Sequence, residues 1–223
     1  MLALKQALSL VSTTKLGWSP ADESSLEAWY KNAVGITLNG SDVSQWADSS
    51  SNGYDMDQAT AAEQPAYSGG VLTFVSSAKD NLQTTGQVSL TGNFTVGIKL
   101  TPAIAAPGTI IADNTTANEF IKYTAAANLR MKIDGSTINI PLDSGTFGDD
   151  YIILTRVSDV ITLWKNGTAQ STTPTLAGTS DIDTIGARYD DNDYFDGTIE
   201  EIQIYSRSSS TLTSNVNDRL STL

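Results

Sequence analysis

Short stretches of alternating apolar and polar residues, each closed by Gly, Pro, Asn or Asp, run along most of the chain beyond Gly17. Such stretches predict β-strands with one buried and one solvated face. Leu26, Ala28 and Tyr30 share one face, and Leu72 and Phe74 alternate with Val71, Thr73 and Val75. Val88 to Leu90 and Phe94 to Leu100 follow, and Ile199 to Tyr205 reads as another strand. The run Tyr151-Ile152-Ile153-Leu154 does not alternate, which predicts a strand buried on both faces. Two dipeptides predict tight hairpins, because a two-residue type I′ turn needs positive φ at both central positions. Asp134-Gly135 pairs Ile133 with Ser136, Met131 with Ile138 and Leu129 with Ile140 on one face, leaving Arg130 with Asn139 and Lys132 with Thr137 on the other. Asn166-Gly167 joins the strand from Val160 to Lys165 to a polar return from Thr168 to Thr173, ended by Pro174.

Helical spacing occurs only near the two ends. Leu212, Val216 and Leu220 recur at i, i+4, i+8 after a serine run able to cap a helix. Leu4, Ala7, Leu8 and Val11 recur at i, i+3, i+4, i+7, so residues 1–20 are expected to form a docking segment whose contacts are Leu4, Leu8 and Val11. Residues 21–223 then form one domain, a size common for a single all-β core. The opening apolar run is interrupted by Lys5 and Gln6 and is too short for a secretory leader, and no later stretch has the length of a membrane span.

Composition narrows the chemistry. The chain has no histidine and no cysteine, which removes imidazole bases, thiol nucleophiles, disulfides and the usual zinc ligands. Carboxylates, hydroxyls, amides and aromatics remain, a set suited to hard cations or to sugars. Twenty-five acidic against 13 basic residues give a net charge of −12, which repels nucleic acid and anionic lipid. The Lys and Arg are scattered along the sequence, so no compensating basic patch is expected.

Two groups of residues together resemble a known family. The first comprises Leu26 to Tyr30, Val43 to Gly53, Gln64-Pro65, and Phe74 before Leu82; the second comprises Arg156, Trp164 to Gly167, Ile185 to Arg188 and Phe195 to Arg207. In this order, over about residues 24–220, they are similar to laminin-G-like, concanavalin A-like domains. The resemblance implies an all-β antiparallel sandwich, a jelly roll with short helices at both termini, of the kind found in bacteriophage virion proteins. It also marks Trp29, Trp46 and Trp164 as core or sheet-face positions.

Glycosidases on this fold cluster their carboxylates as Glu-x-Asp-x-x-Glu or Glu-x-Asp-x-Glu on one strand face, as a retaining pair requires. Glutamate occurs here only at positions 23, 27, 63, 119, 200 and 201, without such a motif. No enzymatic activity is therefore expected, and Glu200 and Glu201 are assigned structural duties, one solvated and the other capping a turn or pairing with an arginine. Asp48, Ser50 and Asn52 stand at calcium-loop spacing before Gly53, but Ala59 occupies the place of the bidentate glutamate. No cofactor is required on this reading, and calcium is an optional ligand. The other candidate ligand site is Tyr189, Asp190, Asp191, Asn192, Asp193 and Tyr194, an acidic loop between two aromatic rings, with Tyr54, Tyr123 and Trp18 as further rings available to sugars. The first functional reading is a non-enzymatic structural protein of a tailed-phage virion, made in the host cytoplasm. It would contact capsid or tail proteins, itself as a homo-oligomer, and host glycans, but no nucleic acid or membrane. The alternative is a carbohydrate-binding, lectin-like module of a surface protein.

Overall fold

A computed structural model describes residues 17–103, 107–115, 119–188 and 193–223. The segment carrying Leu4, Leu8 and Val11 lies outside the described residues. The alternating stretches become β1 (Leu26–Tyr30), β2 (Ile36–Asn39), β3 (Asp42–Trp46), β4 (Met56–Asp57), β5 (Ala66–Ser68), β6 (Val71–Phe74), β7 (Leu82–Leu90), β8 (Phe94–Pro102) and β9 (Gly108–Ala112). They continue as β10 (Phe120–Ala125), β11 (Asn128–Ile133), β12 (Ser136–Pro141), β13 (Asp150–Val157), β14 (Val160–Lys165), β15 (Thr168–Ala169), β16 (Ser180–Ile185) and β17 (Gly197–Tyr205), before helix α1 (Ser210–Leu220).

The antiparallel pairings resolve into two layers. One runs β1-β17-β8-β13-β14-β15. The other runs β2-β3-β4-β7-β16-β9-β10-β11-β12. β5 and β6 bridge them, β5 pairing with β3 and β6 with β17. Ile98, Leu154, Ile202 and Ile204 of the first layer meet Val88, Ile111, Met131 and Ile182 of the second in one continuous buried cluster. This is the β-sandwich jelly roll that the resemblance implies, built from the strands that the alternation predicts.

Both hairpins form where the dipeptides place them. Asp134 and Gly135 have φ of 47° and 79°, and every pairing from Leu129↔Ile140 to Ile133↔Ser136 matches the expected register. Asn166 and Gly167, at 48° and 76°, turn β14 into β15. The return strand is shorter than the expected Thr168 to Thr173, because β15 ends at Ala169. There Asp143 draws the chain aside, its backbone N–H donating to Gln170 Oε1 (2.9 Å) and its carboxylate accepting from Ser171 N (2.8 Å) and Oγ (2.6 Å). Pairing with β14 resumes only at Thr175, opposite Val160.

Helix α1 is capped by Ser209, whose Oγ accepts from Leu212 N at 3.1 Å. Leu212, Val216 and Leu220 bury against Ile153 and Tyr205 on the outer side of the β17-β8-β13 layer, so this layer is covered on both faces and Ile153 needs no polar neighbour. Trp18 and Leu223 pack on the same cluster, which corrects the expectation of an exposed Trp18. Gly97 in β8 permits this approach: a Cβ there would lie 2.5 Å from Val216 Cγ1 and 3.1 Å from Leu220 Cδ1. Gly97→Ala is expected to cost about 1–3 kcal/mol by overpacking, read as a lowered urea midpoint, and Val216→Ala in the same chain should recover part of the loss.

Polar groups are also buried beneath α1. Glu201, fully buried, accepts from Trp29 Nε1 (3.0 Å), Gln203 Nε2 (2.7 Å), Asn32 N (3.2 Å), and Arg219 Nε (3.0 Å) and Nη2 (2.6 Å). The arginine-paired structural glutamate expected at 200 or 201 is thus Glu201. At the end of the sandwich Arg156, also buried, donates to the carbonyls of Gly92 (2.6 Å), Gly178 (2.7 Å) and Leu90 (2.8 Å), with its guanidinium 4.7 Å from the Phe94 ring centre.

Candidate functional site

The outer face of the other layer carries a groove of about 710 Å³ between the segment 57–63, β7 and the end of β9. Its polar lining comes from elements far apart in sequence, with Asp57, Gln58, Glu63, Gln83, Asn114 and Asp183 its main side chains. Pairing in the sheet brings them together: Asp57 stands opposite both Gln45 and Gln83. The Gln45 amide donates to Asp57 Oδ1 (2.9 Å), and Asn114 Nδ2 donates to Gln83 Oε1 (2.8 Å).

Asp183 reaches the groove through a backbone irregularity. Ile182 and Ile185 both enter the core although they lie three positions apart, because the register of β16 against β7 shifts between Ile182 and Thr184. The bulge leaves Asp183 and Thr184 outside the core cluster. Asp183 is only 6% exposed, and Asn114 N (2.5 Å) and Thr184 Oγ1 (2.9 Å) both donate to its Oδ1. No described residue donates to Oδ2. Burial raises the pKa of this carboxyl above its ordinary value. Carboxylate and amide groups held this way on a rigid sheet match the hydrogen-bonding needs of vicinal hydroxyls.

A second buried carboxylate braces the same layer. Glu119 Oε1 accepts from Asp134 N and Oε2 from Asp181 N, each at 3.0 Å, tying the start of β10 to the β11-β12 turn and to β16. Burial outweighs those two hydrogen bonds and pushes its pKa up to about 7. The folded chain therefore keeps this proton where the unfolded chain has released it, so stability falls as pH rises from about 4.5 to about 7 and is flat above. The loss is on the order of 3 kcal/mol. With no histidine in the chain, urea midpoints between pH 5 and 8 should decline toward alkaline pH, and Glu119→Gln should flatten most of that slope.

The Asp48 loop is organised as a hydrogen-bonded turn. Oδ1 of Asp48 accepts from Trp29 N (2.9 Å) and Ser50 N (2.8 Å), while Oδ2 accepts from Ser50 Oγ (2.5 Å) and Tyr54 N (3.1 Å). These four donors occupy the four lone-pair sites a cation would use. Asn52 turns its Nδ2 toward the carbonyls of Leu26 (3.1 Å) and Glu27 (2.8 Å). Among the described residues no three acidic side chains come close enough to hold one metal ion. A shallow depression of about 500 Å³ lies beside this loop, but Ser50 and Asn52 in its wall are already committed to the turn.

Of the acidic-loop candidates, Tyr189, Asp190, Asp191 and Asn192 lie outside the described residues. Asp193 forms an ion pair with Lys122 and lies 3.7 Å from Arg188 Nη1. Tyr194 bridges to Thr109, with Lys79 Nζ 5.9 Å from its ring centre. The other proposed sugar-facing rings turn inward: Tyr123 is 2% exposed, edge-to-face with Phe147 at 4.7 Å between ring centres, and half-buried Tyr54 packs against the core. Basic residues also gather where scatter along the sequence predicts no patch. Lys122 pairs across from Arg130 and Phe120 from Lys132, and Lys122 Nζ and Arg188 Cζ lie 4.9 and 5.4 Å from the Phe120 ring centre. Strand pairing places Lys122, Arg130 and Lys132 on one sheet face, and Arg188, beyond the end of β16, reaches the same face over Phe120.

No protein-family model matches the chain, and no curated protein matches it in sequence. Solved structures do match. Domain 4 of AbnA, an extracellular arabinanase of Geobacillus stearothermophilus solved with arabinotriose, aligns with a TM-score of 0.58 at 16% identity, over 86% of this chain and 97% of that domain. The Trypanosoma rangeli sialidase bound to sialic acid aligns at 0.51 and 14% identity over 90% of this chain, which spans about a third (33%) of the sialidase. The CBM40 domain of the Ruminococcus gnavus IT-sialidase, bound to α2,3-sialyllactose, reaches 0.42 and 19% over 55% of this chain and 81% of that one. The first two alignments, each over most of this chain, establish its fold as the β-sandwich jelly roll.

Proposed function

We propose that this domain is a non-catalytic carbohydrate-binding module whose saccharide lies in the groove lined by Asp57, Gln83, Asn114 and Asp183. The observation that carries the reading is the buried Asp183 carboxylate, held at one oxygen and offering the other beside the paired amides of Gln83 and Asn114. The fold shared with an arabinanase domain solved with arabinotriose supports it. The two readings drawn from sequence therefore change places, with saccharide binding ahead of virion assembly.

Glycan-array screening followed by calorimetry tests the proposal. Binding is expected, and Gln83→Ala or Asn114→Ala should each weaken it about tenfold or more, the worth of one or two hydrogen bonds left unmade. Tyr194→Ala should have little effect, and EDTA should leave affinity unchanged because the Asp48 lone pairs are already engaged. Reducing sugar should not be released from any polysaccharide bound. Absence of glycan binding, or binding lost with Tyr194→Ala and retained in Gln83→Ala, would sink the groove assignment.

A further inference from the structure

We infer that this groove accepts uncharged saccharides and rejects those bearing carboxylate or sulfate groups, an inference that rests on the carbohydrate-binding reading above. Three carboxylates, Asp57, Glu63 and Asp183, line it, and none of its described lining residues is Lys or Arg. The residues that follow Thr115 in sequence, Thr116, Ala117 and Asn118, add no cation. A hydroxyl brought to Asp183 or Asp57 donates to a carboxylate, a strong charge-assisted bond. An anionic substituent brought to the same place meets like charge with nothing to neutralise it, inside a chain whose net charge is already −12.

The cations on the same sheet face do not supply the missing countercharge. Lys122 is paired with Asp193, and Arg188 approaches the same carboxylate at 3.7 Å. Arg130 Nε donates to Asn139 Oδ1 at 2.9 Å, and Lys132 is likewise engaged. They surround Phe120, on the β10 side of Ala112, whereas the groove opens on the β4-β7 side of β16. The face is thus divided into a cationic strip closed by its own partners and an acceptor-rich groove left open.

The experiment is calorimetry of the whole chain at low ionic strength against neutral hexasaccharides of glucose, xylose and arabinose, and against hexagalacturonate and a hyaluronan hexasaccharide. At least one neutral probe should bind, and both acidic probes should bind at least tenfold more weakly. The double variant Asp57→Asn/Glu63→Gln, which removes two of the three charges and leaves buried Asp183 in place, should narrow that ratio severalfold. Acidic probes that bind as tightly as neutral ones, or a ratio unmoved in the double variant, overturn the inference while leaving saccharide binding intact. No binding by any probe overturns the carbohydrate reading itself, and the inference with it.

Discussion

Replacing Glu201 with leucine is expected to destabilise the domain by about 4–5 kcal/mol, lowering the melting temperature by about 10 °C or more. The side chain is fully buried and serves four separate donor residues: Trp29, Asn32, Gln203 and Arg219. Leucine fills the space but leaves the indole N–H of Trp29, the amide of Gln203 and the backbone N–H of Asn32 without an acceptor, and each such loss costs about 1–3 kcal/mol. Arg219→Met should cost less, about 2–3 kcal/mol. Its side chain is 27% exposed, and the carboxylate it abandons keeps its three other donors. The asymmetry is the informative result, measured by urea unfolding of both variants. Equal losses would mean that the ion pair alone, and not the four-donor cradle, holds α1 in place.

Arg156→Leu should cost about 4 kcal/mol by the same measurement, for a different reason. Among the described residues no carboxylate lies within bonding distance of the guanidinium; three backbone carbonyls, of Leu90, Gly92 and Gly178, hold it. Two of those belong to β7 and the β7-β8 turn and one to the segment leading into β16, so a side chain of β13 in one layer closes the end of the other. Leucine leaves three acceptors turned toward a buried, water-poor site. Arg156→Lys restores the charge but not the fork, since a single ammonium does not span three carbonyls fanned around a planar group. It is expected to recover less than half of the loss. Full recovery by lysine would show that charge, not geometry, is what the site requires.

The parts of the fold legible in the sequence are those specified by neighbours in the chain. Asp134-Gly135 dictates a turn, the turn dictates a register, and the register agrees with the alternation on both sides, so three local signals concur. Leu212, Val216 and Leu220 define a face for α1 in the same way. The groove was not legible because its members, Asp57, Gln83, Asn114 and Asp183, become adjacent only through pairing of β4, β7 and β16. One signal for it existed: Ile182 and Ile185, apolar at i and i+3 inside an otherwise extended run, imply an inserted residue and hence a displaced Asp183. The gathering of Lys122, Arg130, Lys132 and Arg188 is not legible for the same reason, since neighbours across strands that no Asp-Gly or Asn-Gly turn joins cannot be read along the chain. Tyr123 is not available to a sugar as expected, because its alternation with Ile121 places it on the buried face of β10.

The apolar patch under α1 bears on how the groove is presented. Trp18, at the start of the described chain, and Leu223, at its end, rest on one patch, and that patch lies on the layer opposite the groove. The described chain thus begins and ends at the back of the molecule. A bead, a surface or a neighbouring domain joined after Leu223 stands behind the sandwich and leaves the groove turned outward, so immobilisation through the C-terminus should leave the proposed saccharide binding intact.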